Sequence, residues 1–525
     1  MLPESPSLLR SAPPVVRLEN SFAEPFNNAI ATARTCYSSK VISAADVVKD
    51  ARSIALRDEI AKSTYEAGHH TTIQHASFQF VLERVSRQFL WSFLHAHPFY
   101  NSEQVSQRYV EVKPGNFVVP PLSEKHAHLY TEVMNAQMAA YHRLIEVLLP
   151  DVERAYIGIF PGRKNRMEKW TLSLKKKAQE VARYVLPVAT HAHLYHTVSG
   201  LTLHRYHRAM RVTDVPLETK LVVDEMIAEV NRLDPLFFRN IEDPIAIEDT
   251  LEWRSLQELR ATPGSAAAFV REFDQDLGPL SSKLIGWSAQ AEANMAQSVR
   301  SVLGVPKSAM SDEDAIDLVL SPRENVYLGN SLNLTTMSKL SRAMHHAHYS
   351  FRKKLSHTAD SQDQRHRMTP ATRPMLAAQY AGGEPDVIVP ELVRANAQAL
   401  DVYMAICRDA WKAIDTLLSD GVAPEHALYL LPNAFPIRFE ESGDLLAFHH
   451  KWTTRLCYTA QDEIWRNCLE EVQQLRTVQP RIAKHIGPPC HMRKEAGVKP
   501  LCPEGTRYCG VPVWRVPLDE MKRTL

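Results

Sequence analysis

The chain has 525 residues, of which 45% are hydrophobic and 23% charged, with 61 Lys and Arg set against 60 Asp and Glu for a net charge of +1. That length predicts two to four domains with ample mass for buried cores, and the balanced charge excludes a global field that would draw in nucleic acid or an anionic membrane surface. No run of about 18 apolar residues occurs, which excludes a membrane-spanning helix.

Seven unevenly spread cysteines predict a reduced, cytoplasmic setting, and the N-terminal stretch carries Glu4 and lacks the apolar core of a secretory signal. The 33 prolines outnumber the 18 glycines, so fixed turns are expected to exceed flexible linkers. Neither common glycine-rich phosphate loop is present, so bound phosphate would have to be held by side chains.

In chain order, Val15 to Leu18 reads as a strand, Ala31 to Ser39 as a helix ending in a polar turn, and Ala45 to Ala67 as a helix stopped by Gly68. The alternation around Phe78 and Phe80 predicts a strand, and Arg84 to Leu94 a helix interrupted at Pro98. A further strand is expected at Phe117 to Val119, and helices at Glu124 to Leu149 and Leu172 to Tyr184. The five histidines His191, His193, His196, His204 and His207 lack a carboxylate or thiolate at firm metal spacing and read as polar spacers. The basic runs Arg163 to Arg166 and Lys175 to Lys177 lack interleaved aromatics, so they read as solvated faces and no nucleic-acid partner is expected. Asp274 to Asn294 is expected to be a helical tie.

The chain repeats itself. His75-Ala76-Ser77-Phe78-Gln79-Phe80 returns as His346-Ala347-His348-Tyr349-Ser350-Phe351; Val85-Ser86-Arg87 returns as Leu355-Ser356-His357; Val185-Leu186-Pro187 returns as Leu430-Leu431-Pro432. Three matches in the same order indicate a duplicated unit. The expected organisation is therefore a first repeat over 1–245, a second over 246–480, and a tail over 481–525.

Gly68-His69, Gln74-His75, Ser86-Arg87, Ser106-Gln107-Arg108-Tyr109, Ala182-Arg183 and Leu186-Pro187, with Gln364-Arg365-His366-Arg367 and Arg455 ahead of Gln461-Asp462-Glu463-Ile464, resemble the flavin-dependent thymidylate synthases. The resemblance implies an α/β (α+β) fold of two tandem repeats, each an antiparallel sheet flanked by long helices. It also implies FAD as cofactor, the substrates dUMP and methylenetetrahydrofolate, NADPH as reductant, and a homodimer imitating a four-repeat assembly.

Neither repeat carries the family motif whole. The Arg-His-Arg of the second repeat falls opposite Ala96-His97-Pro98 in the first, while the family serine falls on Met375 in the second. Arg183 stands opposite Leu428, and Arg455 and Gln461 stand opposite Met210 or Arg211 and Pro216. The losses are complementary, so one pocket is expected to form between the repeats. The resemblance assigns Arg455 to the pyrimidine edge and Ser106 to nucleotide orientation, as catalytic residues. Gln362, Arg365, Gln107, Arg108 and Arg183 are expected to bind substrate; His366, Arg367, His75, His97 and His346 to bind the flavin. Two other readings stay open: a non-catalytic or regulatory flavin- and nucleotide-binding protein, and a flavin enzyme acting on another pyrimidine.

In the tail, Cys490, His491, Cys502 and Cys509 are ligand types for a structural zinc site, with a metal-free loop as the alternative.

Overall fold

The structure, a computed structural model, describes residues 8–95, 99–260, 264–523 and 525. Two four-stranded antiparallel sheets carry the fold. The first has the order β1 (Val15–Ser21), β2 (Ser77–Ser86), β4 (His191–Ser199), β3 (Tyr100–Gln104); the second has β5 (Ser282–Trp287), β6 (His348–Ser356), β8 (Pro436–Asp444), β7 (Ala371–Thr372). The strand order is the same in both, so the duplication read from the sequence is a duplication of topology.

Alternation decides which side chains enter the core. Along β4, Ala192, Leu194, His196 and Val198 are buried while His193 and Tyr195 face out. His196 is therefore a core residue: its Nε2 lies 3.2 Å from the Tyr206 hydroxyl, and burial pushes its pKa down to about 3. The long helix Glu124–Ile159 of the first repeat packs against Ala397–Ser419 of the second. One hydrophobic core runs from Val16 and Phe80 through Leu186 to Leu431 and Phe439. A second core, including Phe351 and Trp452, extends into the tail at Cys490, Val513 and Met521.

The repeats meet about a local two-fold at Pro187 and Pro432, which bridge each other. Val188 N donates to the Leu431 carbonyl and Asn433 N to the Leu186 carbonyl, both at 2.8 Å; Ala189 N and Ala434 N reach the carbonyls of Tyr429 and Tyr184. Buried Gln137 donates to Val185 and Leu430, the same place in each repeat.

Several element expectations need correction. Asp274 to Asn294 is not one helix: the helix Ser265–Leu277 ends at Gly278, and β5 intervenes before Ala291–Leu303. The six residues of β5 set Leu284 and Ile285 side by side, so they show no clean alternation. Phe117 contributes only an isolated bridge to Thr190, and the helix begun at Glu124 runs through Pro150 to Ile159. β2 continues to Ser86, so the helix after it begins at Arg87. Among the described residues, no helix is long and apolar enough to cross a membrane.

The zinc expectation is also corrected. Among the described residues no group of three or more His, Cys, Asp or Glu is arranged to hold a metal. Cys490, Cys502 and Cys509 line one small cavity with Cys457, whereas the His491 ring lies against Gly487, where an added Cβ would come within 2.8 Å of it.

Candidate functional site

Each central strand ends on a serine that opens a helix. Ser86 N and Oγ both donate to Glu218 at 2.6 Å, and Ser356 N and Oγ both donate to Glu463 at 2.6 Å. The same hydroxyls accept from the helix amides of Phe89 and Ala359. The Tyr429 hydroxyl crosses from the second repeat to Glu218, and the Tyr184 hydroxyl crosses from the first to Glu463. Two matching Ser-Glu-Tyr clusters thus flank the local two-fold, and burial raises the pKa of both carboxyls.

Around these equal frames the side chains differ. Beside Tyr184, Arg183 Nη2 donates to Gln461 Oε1 at 2.8 Å. Gln362 donates to the same oxygen, and Gln461 Nε2 donates to the Tyr184 hydroxyl. Arg455 Nε reaches His366 Nε2 at 2.9 Å, and its Nη2 reaches the Gln362 carbonyl at 2.7 Å. Arg87 holds the approach to the Ser106 loop, donating to Gln104 Oε1 and the Val105 carbonyl. In that loop Asn433 of the second repeat donates to Gln107 Oε1, and Arg108 N donates to Ser106 Oγ. Arg108 pairs with Glu180 and donates to the Thr459 carbonyl.

Arg365 and Arg367 lie at the exposed edge of this group. Arg365 Nη1 is 3.7 Å from Glu103, and the Arg367 guanidinium sits 4.7 Å above the Tyr100 ring. The structure therefore brings Ser106, Gln107, Arg108 and Arg183 of the first repeat together with Gln362, Arg365, His366, Arg367 and Arg455 of the second. It does not bring His75 or His346 there within one chain. His75 precedes β2 at the end opposite Arg87, about 30 Å away along a ten-residue strand at ~3.3 Å per residue. His346 holds the equivalent place before β6, and both rings are exposed. His97 lies outside the described residues.

Electrostatics sets the cluster apart from an ordinary ion-pair interface. Burial, with Arg183 and Arg365 nearby, pushes Arg87 down to about 9. Burial, opposed by Glu180 but reinforced by Arg108, pushes Arg183 down to about 10. Burial would raise the Glu180 carboxyl, but Lys177, Arg108 and Arg183 outweigh it and hold it well below the usual range. Burial beside Arg455 pushes the His366 imidazole far down, so it is neutral and can accept from that guanidinium. Arg87 Nε, Arg183 Nε and Gln107 Nε2 are buried with no hydrogen-bond partner among the described residues. Unmade donors on desolvated cations mark a place suited to an anionic ligand.

The matching place across the two-fold is built otherwise. Leu428 replaces Arg183, and buried Met210 stands eight residues before Glu218 where Arg455 stands eight before Glu463. Pro216 replaces Gln461. Asp214 accepts from Ser92 Oγ at 3.3 Å and from Leu376 N at 2.7 Å, and burial pushes its carboxyl up to about 6. With Leu428 and Met210 where the other side has Arg183 and Arg455, and with the Asp214 carboxyl close by, this side lacks those two guanidiniums.

A family model described as thymidylate synthase complementing protein matches residues 17–236 and 283–481, most of the chain. The chain belongs to this family. Similar proteins include a flavin-dependent thymidylate synthase from Clostridium tetani (strain Massachusetts / E88), 28% identical over 227 residues, which are 43% of this chain and 85% of that protein. One from Mycobacterium sp. (strain JLS) is 31% identical over 181 residues, 34% of this chain and 67% of its own length. One from Mycobacterium bovis (strain BCG / Pasteur 1173P2) is 28% identical over 181 residues, 34% of this chain and 66% of its own length. For this family chain, two residues central to the cluster were carried only as parts of a motif: Arg87 in Ser86-Arg87 and Gln461 in the segment after Arg455. Glu103, Tyr184 and Thr459 had no distinguishing sequence signal beyond their closeness to those motifs.

Proposed function

We propose that the chain is a flavin-dependent thymidylate synthase that methylates dUMP reductively, with one working pocket between its two repeats. The observation that carries this reading is the bridge from Arg183 through Gln461 to Gln362, three residues of two incomplete motifs meeting at one oxygen. Arg183 and Arg108 supply cations for the 5′-phosphate, where charge-assisted bonds are roughly twice as strong as neutral ones. Ser106 and Gln107 orient the nucleotide. Arg455, held by His366 and the Gln362 carbonyl, presents a planar guanidinium to the pyrimidine edge and stabilises negative charge developing on the ring carbonyls as C5 becomes nucleophilic.

The exposed guanidinium of Arg367, beside neutral His366, suits the diphosphate and ring edge of FAD, while Arg365 serves the nucleotide substrate. When bound, that cofactor would supply the hydride the reaction needs. Methylenetetrahydrofolate as one-carbon donor, NADPH as reductant, a cytoplasmic setting and a homodimer that completes a four-repeat assembly belong to the same proposal. Rescue of a thymidine auxotroph, together with a flavin spectrum that changes on adding dUMP, tests it; a colourless protein that neither rescues growth nor binds dUMP would overturn it.

A further inference from the structure

A cavity of about 500 Å3 begins at Arg108 and Glu180, and neither Arg183, Gln362 nor Arg455 lines it. Its walls come from the end of the long helix at Tyr156 and Phe160, the helix Thr171–Ala182, and the tail beyond the family match at Lys522 and Arg523. The tail is fixed in place there. Tyr458 donates its hydroxyl proton to the Lys522 carbonyl at 2.9 Å, and Gly510 passes so close to Phe160 that an added Cβ would stand 2.7 Å from the ring.

The cavity carries more positive charge than its carboxylates consume. Glu180 is taken up by Arg108 and by Lys177 at 2.9 Å. Lys176, Lys522 and Arg523 form no ion pair with a carboxylate of the described residues, and the only other lining carboxylate, Glu520, is exposed. Arg523 is 9% exposed; its Nε donates to the Leu525 carbonyl, while its Nη1 is buried with no partner among the described residues. The run Lys175 to Lys177, expected as a solvated face, thus turns two lysines into a cavity wall. A buried guanidinium with a free donor calls for an acceptor, and two further ammonium groups call for more than one negative charge. The rings of Tyr109, Tyr156, Phe160 and Tyr458 offer flat apolar surface at the other walls. The volume lies within the usual range of small-molecule sites, about 300–1,000 Å3.

We propose that this cavity, roofed by the C-terminal tail, is a second ligand site for an aromatic ring compound carrying a diphosphate, either a free nucleoside diphosphate or a dinucleotide. It adjoins the dUMP pocket at Arg108, which lines both, while Lys176, Lys522 and Arg523 line this cavity and not that pocket. The test titrates the full chain with ADP and with NADP+ by calorimetry, with dUMP present in excess. The expected result is binding of at least one probe by the natural protein, weakened at least tenfold in Lys522→Ala/Arg523→Ala with dUMP affinity unchanged. The tighter probe distinguishes the free nucleotide from the dinucleotide. Lys176→Ala, on a half-buried helix position away from the tail, is expected to weaken the same probe and covers the case in which the tail variant fails to fold. Absence of binding by both probes, or binding unchanged in the folded variants, would overturn the proposal. Failure of dUMP to bind would count against the first pocket alone, because both probes are titrated again without it.

Discussion

Arg183→Leu places in the first repeat the side chain that the second repeat already carries at Leu428, which is 6% exposed at the matching turn. The fold therefore tolerates leucine in this setting, and ligand recognition can be separated from folding. The substitution removes one hydrogen bond to Gln461, worth about 1 kcal/mol. It also removes a cation whose pKa burial has driven from 12.5 to about 10, equivalent to roughly 3 kcal/mol of disfavoured charge. The two effects oppose each other, so Tm should hold or rise. A phosphate that loses a charged hydrogen bond gives up about 1.5–3 kcal/mol, so Kd for dUMP should weaken roughly 10- to 150-fold. Calorimetric titration with dUMP and a thermal melt of the same sample read both quantities. A folded variant with unchanged dUMP affinity would refute the placement of the phosphate beside Arg183.

Tyr429→Phe removes one donor from buried Glu218 on the side without the arginines, and should lower stability by about 1–3 kcal/mol in denaturant titration while dUMP affinity stays unchanged. Asp214 titrates at about 6 in the fold against 3.8 ordinarily, so its stabilising contribution is complete below about pH 4 and lost as pH rises through about 6. Asp214→Asn should accordingly match the natural protein near pH 4 and exceed its stability by up to about 3 kcal/mol near pH 8, measured by urea unfolding across pH. Lys353 bridges the fully buried carboxylates of Asp363, Glu441 and Glu471. Lys353→Met should therefore cost about 3–5 kcal/mol in the same unfolding assay, because it leaves three buried carboxylates with only Lys451 and, 3.9 Å from Asp363, Arg373 among the described residues to answer them.

The duplication was legible because its carriers are local. The strand signature ending in Phe80 and Phe351, and the Leu-Pro pairs that lie on the two-fold, each occupy a few consecutive residues whose spacing shows in the sequence. The cluster was legible as a set of motif fragments, and Gln362, Arg183 and Arg455 stand together as complementary loss required. Which atoms meet was not legible, since Arg183 and Gln461 are 278 positions apart and the hand-over depends on how the repeats pack. β5 was hidden between two helical patterns. The tail misled for a different reason: Cys490 and His491 are adjacent in sequence, but the fold turns the histidine toward Gly487 and brings Cys457 from the second repeat to the thiols. Nor could spacing show that Asp214, an ordinary turn residue by sequence, sits between the repeats and accepts from Ser92 Oγ and Leu376 N.

The count of dUMP molecules bound per chain tests the central claim most directly. Calorimetric titration of the chain should give one site per chain, abolished when either the Ser106 to Arg108 loop or Arg455 is altered. Two sites per chain, or one site that survives changes on both sides, would contradict a single pocket shared between the repeats.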